Sequence, residues 1–352
     1  MNTRTIDLTE PVKRYTDLLR DLFDSSKLDP FEYACALLRV GGLEDAGWDP
    51  LAESKAVFED IVKLTQLELD QNVFADVEKT KLRLMLLAYA HLVEMDAPYN
   101  VIANLLRVRN GERYTWDPFW DIREKKKGKR KQVMDLIKGP VPVYPVEKIE
   151  RIKTLASQVG LAQIEPIFDD FFSPVLRNSI DHSDYVLYKD ELRMAKGRMK
   201  DPRGVYSPVV GYDHLLSMIS DTYGFCWTFF ALEDEARHCF KNLAGLVFPF
   251  DPKLKGLLEF NIRPDGFLNG FTVHWPNNSA SYFIRDEKGC QCCNIRLDND
   301  LAVTFFVGEY FSPHNPFSPL VDVGKEPSYS SSVYNSQPLK WSATHYELSK
   351  GN

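Results

Sequence analysis

The chain has 352 residues, 44% of them hydrophobic and 26% charged, with a formal net charge of −7. That composition excludes collagen-like, coiled-coil and wholly disordered chains, and no window reaches the roughly 18 apolar residues that a membrane span needs. An acidic balance also fits poorly with a protein that coats duplex DNA, whose affinity comes from neutralising phosphates, while leaving room for a local basic patch that binds RNA.

Met1 to Pro11 holds no apolar run of the signal-peptide kind. Six cysteines are too few for a disulfide scaffold. The expected compartment is therefore the cytoplasm. From Pro11 to Phe23, apolar residues fall at Val12, Tyr15, Leu18, Leu19 and Leu22, a helical stripe. Asp29-Pro30 supplies the N-cap and first residue of a second helix that reaches Val40 and stops at Gly41-Gly42. These helices, residues 1–48, are read as an N-terminal group ahead of a helical domain over 50–245. In that domain the periodicity predicts helices over 50–69, 77–95 and from Pro98 to near Arg107.

Residues 109–145 break the pattern and read as a basic insertion. An aromatic cluster from Tyr114 to Trp120 comes first, then the basic run Arg123 to Lys131, then the proline-rich stretch Gly139 to Pro145, which cannot continue a helix. Helix returns over Pro145–Val159 and again from Gln163 to about His182, with Pro174 bending or shifting it. Tyr185 to Met194 reads as a hairpin turning at Lys189-Asp190, and Tyr212 to about Leu243 as a long apolar helix. Beyond Pro249 five strand-like stretches follow: Leu257–Arg263, Phe271–Trp275, Ser281–Arg285, Cys293–Leu297 and Leu301–Val307. Turn-forming clusters separate them and predict a small antiparallel β unit over 255–311. Residues 312–352 read as an extended tail. The expected fold class is mainly α with a C-terminal antiparallel β unit, an α+β arrangement.

Leu176 to Tyr185, LRNSIDHSDY, carries the most chemistry. Arg177 and His182 lie five residues apart, about 140° around a helix, so they approach one phosphate at a helix terminus or across a dimer interface. A histidine titrates near neutral pH and serves as general acid or base. An arginine stabilises charge that builds on a phosphoryl group. Attack on a phosphodiester by the RNA's own 2′-OH needs little more than this pair, and no metal. The competing reading ties Arg177 to Asp170 or Asp181 and leaves His182 as a helix-end histidine favoured by the dipole.

This stretch resembles the signature of HEPN domains, helical modules marked by an arginine, a polar residue and, a few positions on, a histidine. Arg177, Asn178 and His182 match it, and the flanking FFSPVL and DYVLYKDELRM are similar to segments of uncharacterised bacterial HEPN-like proteins. The resemblance covers about residues 163–190 and extends loosely to a HEPN-like helical bundle within 50–245. It implies a metal-independent endoribonuclease without cofactor that acts on single-stranded RNA or tRNA. It also implies a homodimer in which the Arg/His pairs of two protomers form one cleft. His182 would then be the acid/base, Arg177 the phosphate stabiliser and Asn178 a positioning group. Bacterial stress or antiviral defence, with a regulatory partner, is the setting that follows. The same resemblance also covers a non-catalytic HEPN-like protein that oligomerises or binds a partner or nucleotide. Asp184 stands where some HEPN toxins carry a tyrosine, and Tyr185 comes one position later.

Lys125, Lys126, Lys127, Lys129, Arg130 and Lys131 are candidates for guiding RNA, with Trp116, Phe119 and Trp120 as stacking partners. The alternative is a solvated loop beside core aromatics. Cys290, Cys292 and Cys293, with His274 or His314, raise the question of zinc, but C-x-C-C is not a usual finger spacing. Ordinary packing or a redox-active thiol is the competing reading, and no metal is expected. In a strand Cys290 and Cys292 face one way and Cys293 the other. His91 is expected at a core or interface position on an apolar helix face, and His238 on a charged one. No Walker, dinucleotide-binding, H-E-x-x-H or G-x-S-x-G motif occurs.

Overall fold

The computed structural model describes residues 7–41, 49–127, 141–201, 203–250, 256–275, 278–286, 289–297 and 302–305. The expected tail over 312–352 and residues 128–140 of the basic insertion lie outside them. The chain forms two compact units, each assembled from separate stretches. Unit 1 comprises Met1–Phe23, Pro50–Ala103 and Asp121–Leu232, and unit 2 comprises Asp24–Asp49, Asn104–Trp120 and Glu233–Asn352.

Helices α1 (Thr9–Leu19) and α2 (Pro30–Leu38) therefore do not form a block of their own. The first belongs to unit 1 and the second to unit 2. Side-chain packing explains the split. Buried Tyr15 of α1 meets the edges of Phe171 and Phe225, with ring centroids 6.3 and 5.9 Å away. Phe31 of α2 instead packs on Phe250, Phe271 and Phe305. Asp29 caps α2 as expected, accepting from the Phe31 and Glu32 N–H groups at 3.0 Å, with Pro30 in the first turn. The helix stops before the glycines, because Arg39 takes the left-handed conformation at φ 48°.

Unit 1 is mostly helical. It contains α3 (Pro50–Gln66), α4 (Val77–Glu94), the first part of α5 (Asp96–Arg109), α6 (Trp120–Lys127), α7 (Pro145–Gln158), α8 (Pro174–Asp181) and most of α9 (Tyr212–His238). Phe168, Phe171 and Phe225 form a ring cluster at its centre, with centroids 4.9–6.0 Å apart. Such pairs add about 0.5–1.5 kcal/mol each beyond area burial.

Two expectations fail here. The helix expected over 163–182 is broken into two pieces rather than bent or shifted as one. A 3-10 stretch covers Ala162–Asp170, Ser173 is extended, and Pro174 opens a new helix. Pro174 has no N–H to give, and inside a helix its ring would clash with the preceding turn, so it restarts the helix at its first position. Conversely, α6 stands in the expected break. Asp117 accepts from the Phe119 N–H ahead of it, and Asp121 and Lys125 pair one turn apart with the acid toward the N-terminus.

The expected hairpin is present. Strands β1 (Tyr185–Tyr188) and β2 (Glu191–Met194) pair antiparallel, and β5 (Val209–Gly211) adds to β2, giving the order β1-β2-β5. Strands β3 (Met199–Lys200) and β4 (Tyr206–Ser207) make a second short hairpin.

Unit 2 holds a five-stranded antiparallel meander of β6 (Val247–Pro249), β7 (Leu257–Ile262), β8 (Leu268–His274), β9 (Ala280–Asp286) and β10 (Gly289–Cys293). It begins ahead of the expected boundary at 255. Leu258, Phe260, Phe271, Val273 and Phe283 are buried, with intervening positions more exposed, the period-2 pattern of a sheet that buries one face. Gly270 is required where β8 crosses β9, since an added Cβ would overlap the Phe283 carbonyl oxygen. The expected strand from Cys293 to Leu297 is split by Asn294 at φ 55°, and β11 (Ile295–Leu297) pairs separately with β12 (Val303–Phe305).

Candidate active site

Helix α8 carries Arg177, Asn178 and Asp181, and His182 is its C-cap. Both ends of the helix are fixed by hydrogen bonds. At the start, the Ser173 Oγ accepts from the Leu176 N–H at 3.2 Å. The Ser173 N–H donates to the Tyr89 hydroxyl at 3.1 Å, and that hydroxyl donates to the Phe171 carbonyl at 2.9 Å. Tyr89 is fully buried on α4. At the far end, the Ser183 N–H donates to the Ile180 carbonyl and the Asp184 N–H to the Ser179 carbonyl. Ser183 takes φ 54°, so the pair of bonds forms a Schellman-type stop that sends the chain into β1.

Arg177 is mostly covered, with 17% of its side chain exposed. Its guanidinium lies 2.7 Å from Glu94 at the end of α4 and 3.5 Å from Asp181 one turn on. Burial raises the Glu94 carboxyl above the ordinary glutamate value, against the pull of Arg177 and Lys148. Asn178 and His182 are exposed, and no described residue bonds the His182 imidazole. Five helical residues span about 7.5 Å of rise and about 140° of turn. Arg177 therefore leans onto α4 while His182 stands in solvent at the helix end. The expected Asp181 partner is found. The expected Asp170 is not, because Asp170 pairs with Arg14 at 3.4 Å.

The basic run is only partly described. Lys125 is exposed and lies 3.8 Å from Asp121. Lys126 bonds the Pro142 carbonyl, pairs with Glu147 and sits over the Tyr144 ring. Lys127 ends α6, and Lys129, Arg130 and Lys131 lie outside the described residues. Phe119 is buried, so it serves the core rather than a base, and Trp116 lies beneath the Arg39 guanidinium.

No disulfide joins the six cysteines, and among the described residues no group of His, Cys, Asp and Glu is placed to hold a metal. Cys290 faces Arg285 across the strand pair, and burial raises its thiol against the pull of that arginine. His274 lies 3.2 Å from Glu259 instead of joining the cysteines, and His314 is outside the described residues. His91 is exposed, which removes the core alternative, because α4 buries Leu82, Leu86, Tyr89 and Val93. His238 is exposed, and its Nδ1 lies 2.8 Å from the Asp234 carbonyl. Among the described residues, no helix is long and apolar enough to cross a membrane.

Tyr89 and Glu94 position the site and carry no local signal of it in the sequence, since their partners sit on a distant helix. No known family model matches the chain, and no curated protein or solved structure matches it at a significant level.

Proposed function

We propose that the chain is a metal-independent endoribonuclease of HEPN type that works as a homodimer. The observation that carries this reading is the exposed His182 imidazole at the end of α8, with no bonding partner among the described residues and an anchored Arg177 on the same helix. His182 takes the proton from the 2′-OH as that oxygen attacks the adjacent phosphorus. Proton donation to the departing 5′-oxygen then leaves a 2′,3′-cyclic phosphate and a 5′-hydroxyl. Arg177 stabilises the charge on the phosphoryl oxygens, and exposed Asn178 orients the phosphate. The angle of about 140° within one helix argues that a second copy of α8 completes the cleft. Lys125 and its neighbours on α6 are the weaker candidates for RNA contact.

One observation favours a non-catalytic, partner-binding or nucleotide-binding role. Glu94 and Asp181 already neutralise Arg177, and a phosphate would have to compete with both. Incubation with labelled single-stranded RNA and tRNA in EDTA, beside Arg177→Ala and His182→Ala, separates the two. Cleavage by wild type alone with cyclic phosphate ends supports the nuclease. Equal cleavage by all three, or none by a dimeric wild type, favours the non-catalytic role.

A further inference from the structure

The small sheet that follows His182 has an outer face of unusual chemistry. Cross-strand partners share a face, so Val186, Arg193 and Val209 form one row and Tyr188, Glu191 and Gly211 the next. Leu187, Leu192 and Val210 on the opposite face are buried. The outer face nevertheless exposes 61% of Val186 and 43% of Tyr188. The Arg193 guanidinium lies 4.3 Å from the Tyr188 ring centroid and the Lys189 ammonium 5.4 Å. Beyond Gly211 a concavity of about 630 Å³ opens between β5 and the β3–β4 hairpin, bordered by Lys200 and Tyr206, the latter 66% exposed.

Charge is concentrated here as well. Tyr185 to Gly211 holds six basic and three acidic side chains, a net +3 within a chain of −7. Arg193, Lys196 and Arg203 are paired with Glu191, Asp184 and Asp201. Among the described residues, Lys189, Arg198 and Lys200 have no carboxylate partner. Exposed rings and a planar guanidinium stack on bases, while uncompensated cations follow a phosphate backbone. A protein partner fits less well, since lysine is depleted from the cores of protein interfaces.

We propose that this face, from Tyr188 across to the Lys200–Tyr206 concavity, is a docking track for single-stranded RNA. It rests on the nuclease reading only in that the sheet follows His182 directly in the chain, and binding itself needs no cleavage. The test is fluorescence anisotropy of the full chain with a labelled 2′-O-methyl RNA of about a dozen nucleotides, which has no free 2′-OH to attack. Tyr188→Ala should weaken binding about tenfold while Tyr188→Phe keeps it. Lys189→Ser with Lys200→Ser should weaken it and flatten the log–log salt dependence by about 0.7 per lost phosphate contact. The proposal is overturned by unchanged affinity in these variants or by absent RNA binding. It is also overturned if an acidic peptide binds through Tyr188 where RNA does not. RNA binding that depends on Tyr188, without cleavage of unmodified RNA, would remove the nuclease reading and leave the track standing. Cleavage indifferent to Tyr188 would do the reverse.

Discussion

Tyr89→Phe removes one oxygen from the interior and tests whether α4 sets the position of α8. The ring stays and no cavity larger than an atom opens, so the effect comes from the two hydrogen bonds, at 2.9 Å to the Phe171 carbonyl and 3.1 Å from the Ser173 N–H. Each bond contributes about 0.5–1.5 kcal/mol net, and each partner left buried without a replacement costs about 1–3 kcal/mol. The expected loss is about 2–4 kcal/mol, a substantial part of the ~5–15 kcal/mol that holds a domain folded. Urea unfolding measures the loss, and hydrogen exchange of the amides from Leu176 to Asp184 shows where it falls. Exchange there should accelerate more than in α7. A loss under about 0.5 kcal/mol with α8 protection intact would refute the reasoning.

Glu32 is fully buried, and burial lifts its carboxyl to about 7, against the Arg113 guanidinium 3.5 Å away and the Tyr114 N–H. Between pH 4.5 and 7 the folded chain keeps a proton there that the unfolded chain has lost, so this group's contribution falls as pH rises, by about 3 kcal/mol in all. The stability difference between wild type and Glu32→Gln should decline across that window; a flat difference contradicts it. Gly224→Ala should lower the melting temperature, although alanine favours a helix by about 1 kcal/mol, because the new Cβ meets Pro11 side chain and backbone. A raised melting temperature would show that α1 shifts without cost. Asp29→Ala should cost about 1 kcal/mol through the lost cap, read by chemical denaturation, and no change would show that Pro30 alone starts α2.

Features with a local cause were legible in the sequence. Asp29-Pro30 determines the start of α2 through its own side chain and ring, and the turn at Lys189-Asp190 is set by residues beside it. Pro174 was visible as an interruption, but whether it bends or restarts a helix depends on Ser173 finding Tyr89, a contact between distant segments. The α6 helix was hidden because its charges resemble a solvated loop until Asp121 and Lys125 are placed a turn apart. The division of the N-terminal helices was illegible because α1 and α2 both carry apolar residues at helical spacing, and the rings those residues meet lie far along the chain. At the candidate site the Arg177–Asp181 pair follows from helical spacing, whereas Glu94 is brought there by packing alone.

The long reach of α1 has a consequence for biosynthesis. The Val12 carbonyl accepts from the Thr228 hydroxyl 216 residues later, and Arg14 pairs with Asp221 across 207. A ribosome adding about 5–20 residues per second needs roughly 10–40 seconds to cover that interval. Throughout it Tyr15 lacks the Phe225 ring it meets on α9, so nascent chains that stall before α9 is out present an unpartnered apolar stripe to chaperones and proteases. Unit 1 closes only when α9 leaves the exit tunnel, which makes the timing of translation part of how this chain reaches its fold.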